Sequence, residues 1–375
     1  MTHAWLWIAF IVFVLAMLAL DLGLFNRKSH VIKTAEALRW TGVCVVLALL
    51  FTVAVYYIYQ NDILGYGASF VEEIRRFEID KIKGIKPDLA TWVPPADNPA
   101  AIAAAAPGRT ASIQFLTGWL VEYSLSMDNI FVIALVFGHF RVPPQFQHRV
   151  LMWGIIGALI MRGAMIGAGT ALVTNFHWIL YIFGAFLIYT AFKILFSKAD
   201  ESVSPEKNIA IRIARKLFPV TNEYRGESFF VRENIGGVTR RAATPLFLVL
   251  LVVETTDVVF AVDSIPAIFS ITRDPFLVFT SNVFAILGLR SLYFALAGLM
   301  GKFEHLKFSL AFILAFVGVK MLLEYFHIEI SGPVSLGIIV TALAVGVGSS
   351  LLASSGPEKP QSTEPPSPPA APPSD

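Results

Sequence analysis

The sequence has few charged residues and almost no cysteine. Charged residues make up 15% of its 375 positions, whereas soluble proteins carry about a quarter. The single cysteine, Cys44, excludes an internal disulfide framework and a cluster of thiolate metal ligands. A net charge of +2 leaves no basic excess for nucleic-acid binding. This composition excludes soluble globular, disulfide-rich secreted and nucleic-acid-binding proteins.

Common enzyme signatures are missing as well. The sequence contains no His-Glu-x-x-His pair, no Gly-x-Ser-x-Gly elbow and no phosphate-binding P-loop. The Gly-x-Gly-Asp motif of membrane aspartyl proteases is also absent. We therefore expect neither an enzymatic activity nor a resident cofactor.

Long apolar runs take the place of the missing charges. A run of roughly 18 or more apolar residues is typical of a transmembrane helix, and nine such runs predict an all-α, polytopic transmembrane helix bundle. The nine predicted spans are Ala4–Phe25, Thr41–Tyr59, Ile113–Phe137, Val150–Val173, Trp178–Phe196, Pro245–Ile271, Pro275–Met300, Phe308–Phe326 and Pro333–Ala353. The first run lacks a positive n-region and a small-residue cleavage site, so we expect it to be a retained anchor.

Lysine and arginine gather on one side of this plan. Residues 26–40, 139–149 and 197–241 are basic, whereas the short turns near Asn175 and His327 carry neither residue type. The positive-inside rule therefore predicts an external N-terminus and a cytoplasmic C-terminus. The predicted parts are two N-terminal spans (1–60), an extracytoplasmic insertion (61–112), a first repeat (113–196), a cytoplasmic linker (197–244), a second repeat (245–326), a last span (327–353) and a disordered proline-rich tail (354–375).

Five carboxylates lie inside the predicted spans, where an unpaired ionised acid costs about 2.5–3.5 kcal/mol. The acids are Glu122, Asp128, Glu254, Asp257 and Asp263. Four bases nearly balance them. The bases are Arg162, Lys193, Arg290 and Lys320. The charges are therefore open to two interpretations, structural ion pairs or a cation path in which the bases gate or neutralise the empty site.

The spacing of these charges repeats. Glu122 and Asp128 are six residues apart, and so are Asp257 and Asp263. In each half the next span carries one arginine and the span after that one lysine. Because three spans is an odd number, the two copies run in opposite directions across the membrane. An inverted repeat of three spans is typical of transporters that bind substrate near the bilayer midplane.

The candidate ligands are all oxygen donors, which suit Mg²⁺, Ca²⁺ or Mn²⁺ better than softer metals. They are Glu122, Asp128, Asn129, Glu254, Asp257, Asp263 and Ser264. In regular helices Asp128 and Asp263 point about 120° away from the other acids. Either each repeat offers two ligand clusters, or the helices unwind near Asp128 and Asp263, where Pro266 removes a helical hydrogen bond.

Two long motifs around these acids resemble the TerC family of integral membrane proteins. The first motif is Phe115–Val132, and the second, Glu254–Ile268, continues through residues 274–294. The resemblance covers most of residues 113–326. It implies a fold like that of the lysine-exporter superfamily and a Mn²⁺ exporter of the bacterial inner membrane, in a family named for tellurium resistance. The family's acidic motifs map onto the same five acids, with Asn129 and Ser264 beside them.

Three functions stay open at this point. The first is export of a hard divalent cation, most simply Mn²⁺, with protons as a candidate counter-ion. The second is Ca²⁺/H⁺ antiport, which would use similar ligands. The third is a membrane scaffold that helps to assemble or metallate exported proteins. The expected partners are the bilayer, a divalent ion and a protein bound at residues 61–112 or at the tail, with no nucleic acid.

Overall fold

Four of the long helices of the bundle begin at a proline. Helices begin at Pro107, Pro144, Pro245 and Pro275, because the fixed φ of proline suits a first helical turn that needs no N–H donor. The computed structural model describes residues 2–25, 34–83, 106–176, 178–196, 209–221, 223–235, 238–296, 306–325, 328 and 330–354. The second half of the predicted insertion and the proline-rich tail lie outside these residues.

Eleven α-helices and one small sheet occur in those ranges. The helices are α1 (Thr2–Phe25), α2 (Thr34–Gln60), α3 (Tyr66–Lys83), α4 (Pro107–His139), α5 (Pro144–Asn175), α6 (Ile179–Phe196), α7 (Ile209–Leu217), α8 (Pro245–Phe269), α9 (Pro275–Leu296), α10 (Leu306–Tyr325) and α11 (Gly332–Ser354). A 3-10 turn, Ile63–Gly65, precedes α3. Strands β1 (Phe230–Ile235) and β2 (Val238–Ala243) pair antiparallel. The prediction of a helical, multi-pass membrane protein is confirmed.

Six helical segments are long and apolar enough to cross a bilayer. They are Ala35–Gln60, Pro144–Val173, Ile179–Phe196, Pro245–Phe269, Pro275–Ala295 and Gly332–Ser349. Helices α1 and α10 contain the shorter apolar stretches Ala4–Leu20 and Phe308–Leu323. Helix α4, which holds the third predicted run, has 33 residues and is therefore about 50 Å long. The plan of nine spans and the inverted repeat stay predictions.

Helix α9 lies at the centre of the bundle. In its span 89% of the residues are buried, against 17–33% in the other five spans. Helix α9 packs on α2, α4 and α5, and α8 packs on α4, α5 and α6. The peripheral surfaces carry large apolar side chains such as Ile160 and Val259, which are 67% and 63% exposed. Such a surface suits hydrocarbon, because lipid tails offer no hydrogen bonds to polar groups.

Two basic segments meet at one end of the bundle. The Tyr224 hydroxyl donates to the backbone oxygen of Phe140 at 2.7 Å, and Arg149 pairs with Glu227 at 3.3 Å. Residues 139–149 and the predicted cytoplasmic linker therefore lie at the same end, in agreement with their shared excess of lysine and arginine. The linker also contains helix α7 and the β1–β2 hairpin, which were not predicted from the sequence.

The predicted insertion packs at the start of α9. Asp274 caps α9 by accepting the backbone N–H of Phe276 at 2.8 Å through Oδ1, and its Oδ2 accepts the Tyr59 hydroxyl at 2.8 Å. Tyr66 and Phe70 of α3 pack edge-on against the Tyr59 ring. The first part of the insertion is therefore a helix docked on α2 and α9.

Glu73 gives the docking of α3 a dependence on pH. Burial, reinforced by the negative charge of Asp274 and opposed by Arg273, raises the pKa of Glu73 to about 7. The docked helix therefore binds a proton more tightly than the unfolded chain does, so docking weakens as the pH rises from about 5 to about 8. Amide hydrogen exchange in α3, corrected for its intrinsic pH dependence, should increase over this range. Glu73→Gln should remove the increase, and Glu72→Gln, at the adjacent exposed position, should retain it.

Candidate functional site

The buried guanidinium of Arg162, on α5, joins one acid of α4 to one acid of α8. Its Nη1 donates to Oε1 of Glu122, and its Nε and Nη2 donate to Oδ2 and Oδ1 of Asp257 at 3.4 and 3.2 Å. Arg162 is 2% exposed and Glu122 is 1% exposed. Two carboxylates, one from each predicted repeat, therefore share one arginine in the interior of the bundle.

Two polar side chains complete the surroundings of this arginine. Nη1 of Arg162 lies 3.0 Å from Oδ1 of Asn282, on α9, and 3.5 Å from Oγ of Ser264, on α8. The Asn282 amide is held in place because its Nδ2 donates to the backbone oxygen of Val278 at 3.0 Å. We call the following set the Arg162 network: Arg162, Glu122, Asp257, Ser264 and Asn282.

Three oxygen atoms on α4 lack a partner beside the Arg162 network. Among the described residues, Oε2 of Glu122, Oγ of Ser126 and Oδ1 of Asn129 are buried and form no hydrogen bond. A buried polar atom without a partner is costly, and in a native structure it often marks the place of a water or an ion. Two carboxylates against one guanidinium also leave the network with a net charge of −1. Unpaired oxygens next to excess negative charge suit a bound cation or proton.

A small cavity lies on the other side of Asp257. Asn129, Gly154 and Arg290 line it together with Asp257, and its volume is about 30 Å³. This volume accommodates one or two water molecules. The buried Arg290, on α9, donates through Nη1 to Nε2 of His148, near the start of α5, at 3.0 Å. The cavity is thus bordered by Arg290 and by Asp257, the acid that accepts hydrogen bonds from Arg162.

The other two acids of α8 face different neighbours. The Glu254 carboxylate lies against Gly157 of α5, where a Cβ atom would overlap it. Oδ1 of Asp263 accepts the hydroxyl of Thr190, on α6, at 3.2 Å. Glu254 and Asp263 are nine residues apart, which is about 14 Å along a helix. The acids of α8 are therefore spread both along and around the helix and do not surround a single point.

The remaining predicted site residues lie apart from the network or outside the description. The side chain of Asp128 is outside the described part of the structure. Lys193 is exposed near the end of α6, and Lys320 is half-buried on α10. Among the described residues, no group of three or more His, Cys, Asp or Glu side chains is placed to hold a metal ion. Metal binding by the seven predicted ligands stays a prediction.

The helices that carry the acids are continuous. Helix α4 runs without interruption past Asp128, and α8 continues through Pro266 to Phe269. The unwinding that one alternative expected near Asp128 and Asp263 does not occur. Pro266 lies in the last turn of α8, where the loss of one hydrogen bond bends or weakens the helix end without breaking its middle. The other alternative, in which each repeat offers two ligand clusters, stays a prediction.

Three residues of this region were not predicted from the sequence. Asn282 carries a usable signal, because it is an amide in an apolar span and stands eight residues, about two turns, before Arg290. His148 and Thr190 carry no comparable signal. Their importance depends on which helix packs beside them, and local sequence does not specify that.

Comparison with known proteins assigns the family. The sequence pattern described as "Integral membrane protein TerC family" matches residues 108–356, which include every site residue described above. The chain belongs to the TerC family. The resemblance of the two acidic motifs is thereby confirmed, and it extends through α11.

Relatives of this TerC-family chain occur in bacteria and in a plant. The chain is 43% identical over 349 residues to "Uncharacterized membrane protein STKORF319" of Myxococcus xanthus, covering 93% of this chain and 92% of the relative. It is 42% identical over 343 residues to "Putative membrane-bound redox modulator Alx" of Escherichia coli strain K12, covering 91% and 92%. It is 44% identical over 234 residues to "Thylakoid membrane protein TERC, chloroplastic" of Arabidopsis thaliana, covering 62% and 60%. No solved structure matches the chain.

Proposed function

We propose that this TerC-family protein exports a hard divalent cation, in the first place Mn²⁺, across the bacterial inner membrane. The observation that carries the proposal is the set of three unpaired buried oxygens of Glu122, Ser126 and Asn129 beside a network of net charge −1. Oxygen-only donors suit Mn²⁺ and Ca²⁺. The choice of Mn²⁺ follows from the resemblance of the acidic motifs to those of manganese exporters.

The proposed path runs along the acids of α8. Glu254, Asp257 and Asp263 lie along about 14 Å of this helix and offer successive carboxylates to a cation that moves past them. Arg162 compensates Glu122 and Asp257 when no cation is bound. The proposed topology has nine spans with an inverted repeat of three, an external N-terminus and a cytoplasmic C-terminus, with protons as the candidate counter-ion.

The proposal competes with a redox function and with a scaffold function. The Escherichia coli relative is named a putative redox modulator, but the present sequence contains one cysteine, and that residue, Cys44, is buried in α2. A dithiol reaction within this chain is therefore not available. A scaffold needs no unpaired oxygens in its interior, since a partner would bind at the surface. Ca²⁺/H⁺ antiport differs from the proposal only in the ion, and transport measurements separate the two.

Neutralising acids in the path tests the proposal. Asp128→Asn and Asp263→Asn should leave folding intact and abolish Mn²⁺ uptake into vesicles that contain the purified protein, because each removes a charged ligand. Cells that carry either variant should accumulate Mn²⁺ under manganese load. Glu227→Gln, at an exposed ion pair with Arg149, serves as the control and should transport normally. Normal metal content in both folded Asp variants would contradict the proposal. Uptake of Ca²⁺ in place of Mn²⁺ would show that the transported ion is Ca²⁺.

Displacing a carboxylate without removing it gives a second test. Gly157→Ala introduces a Cβ where the Glu254 carboxylate now lies, so that flexible side chain has to move. We expect transport to fall at least about tenfold, since a displaced ligand loses favourable contacts with the ion, while the thermal unfolding temperature changes little. Gly167→Ala, on the same helix with no atom within 4 Å of the added carbon, should retain transport. Equal transport by the two variants would show that Glu254 is not on the path.

A further inference from the structure

We infer that Arg162 and Arg290 alternate as the counter-ion of Glu122 and Asp257, one arginine in each of the two inverted states that transport requires. The cavity beside Asp257 is the place that the Arg290 guanidinium enters when Arg162 leaves. This inference rests on the proposed function, because it assumes the inverted repeat. It adds a mechanism that keeps the buried acids compensated in both states.

The sequence spacing defines a counterpart for each member of the Arg162 network. A shift of 135 residues relates Glu122 to Asp257 and Asn129 to Ser264. A shift of 128 residues relates Arg162 to Arg290. The same shift of 128 relates Gly154 to Asn282, the amide that accepts from Arg162. Under the repeat, each member of the network has a counterpart. In the order Arg162, Glu122, Asp257, Ser264 and Asn282, the counterparts are Arg290, Asp257, Glu122, Asn129 and Gly154.

Four of these five counterparts line one cavity. Arg290, Asp257, Asn129 and Gly154 all border the space of about 30 Å³ beside Asp257. The Arg162 network and this cavity therefore occupy equivalent positions in the two halves of the protein. One half holds an arginine between its acids, and the other half holds a space at the equivalent position. This is the asymmetry expected when two inverted repeats adopt different conformations in one state.

A hydrogen bond to His148 explains why Arg290 does not fill the space beside Asp257 in this structure. Arg290 donates to Nε2 of His148 at 3.0 Å, which draws its guanidinium toward the start of α5. The shift of 128 residues places Phe276 at the position equivalent to His148, and phenylalanine offers no acceptor to Arg162. The present state is thus stabilised by a hydrogen bond that only one half can form. In the other state Arg290 leaves His148 and binds the acids from the cavity.

Removing Arg162 tests the exchange directly. In the full-length protein carrying Arg162→Gln, Arg290 should move into the cavity and release His148. Diethyl pyrocarbonate reacts with accessible imidazole nitrogen, so modification of His148, followed by mass spectrometry of its peptide, should become at least about fivefold faster, as expected from the loss of one hydrogen bond. Arg149→Gln, a change beside His148 that leaves both buried arginines in place, should not alter the rate. An unchanged rate in folded Arg162→Gln would overturn the inference. Asn282→Ala, which weakens the hold on Arg162 without removing charge, should give a smaller increase and replaces Arg162→Gln if that variant does not fold.

Thermal unfolding without added metal provides a second measurement. When one arginine is removed, the other compensates the charges of Glu122 and Asp257. Arg162→Gln combined with Arg290→Gln should therefore lower the unfolding temperature by at least about 4 °C more than the sum of the single changes. Arg162→Gln combined with Arg149→Gln should be additive. Additive losses in both pairs would contradict the exchange. Because neither measurement uses metal, a positive result without cation transport would overturn the proposed function alone.

Reporters fused after Arg141 and Thr272 test the inverted repeat separately, since they must lie on opposite sides of the membrane.

Discussion

A protein in which methionine replaces both Arg162 and Arg290 should lose about 3–5 kcal/mol of its free energy of unfolding. The change keeps long side chains in the interior but removes both the guanidinium that now contacts Glu122 and Asp257 and the one inferred to replace it. Two uncompensated carboxylates in the interior of the bundle are costly, because no opposite charge offsets their burial. Thermal or denaturant unfolding of the purified protein in detergent measures the loss.

Neutralising the acids should restore most of the lost stability. With methionine in place of both arginines, adding Glu122→Gln and Asp257→Asn removes the charges that caused the loss. The exposed pair formed by Arg149 and Glu227 supplies the control, and Arg149→Met should cost at most about 1 kcal/mol. If the variant without Arg162 and Arg290 is no less stable than the Arg149 variant, a guanidinium is not the element that stabilises these acids.

The charge balance of the Arg162 network favours the proposed transport function over a purely structural ion pair. A structural ion pair is neutral, whereas two carboxylates and one arginine leave one negative charge. Oε2 of Glu122 also has no hydrogen-bond partner among the described residues. A cation-binding site has to be stable both with and without the cation. A net charge of −1 still attracts a cation, and it costs less in the empty site than two uncompensated acids would.

Much of this site follows from the sequence because charge inside an apolar run is rare. The acids and Arg162 could be found by spacing alone, since each ionised group in a span needs a partner or a function. The pairing could not be found in the same way. Arg162 meets Glu122 and Asp257 because α5 packs against α8 and α9, which both pack against α4, and helix packing depends on the shapes of many side chains together.

The parts of the fold outside the spans were harder to predict for a different reason. Helix α3 and the β1–β2 hairpin lie in segments whose mixed polarity gives no long apolar run. Tyr66 and Phe70 secure α3 because the ring of Tyr59 packs against both of them and the ring of Phe276 packs against Tyr66. Their contribution therefore depends on tertiary contacts, while a span is specified by its own composition.

Glycine at the crossing of α6 and α10 should be the other position at which a small change has a large effect. A Cβ atom on Gly318 would lie 2.7 Å from the backbone oxygen of Gly184 and 2.8 Å from Cγ1 of Ile188. Small residues allow helices to approach this closely in membranes. Gly318→Ala should therefore cost about 1–3 kcal/mol through overpacking, and Gly318→Val more.

Gly337→Ala, on α11, is the matched control because no atom lies within 4 Å of the added carbon. It should be neutral or stabilising by up to about 1 kcal/mol, since alanine favours a helix more than glycine does. Equal unfolding temperatures for Gly318→Ala and Gly337→Ala would show that the two backbones can separate freely. A loss confined to Gly318→Ala would show that the crossing is tight. Because α6 also carries Thr190, which donates to Asp263, that loss should be accompanied by weaker cation transport, through displacement of the acid's partner and without any change to an acid.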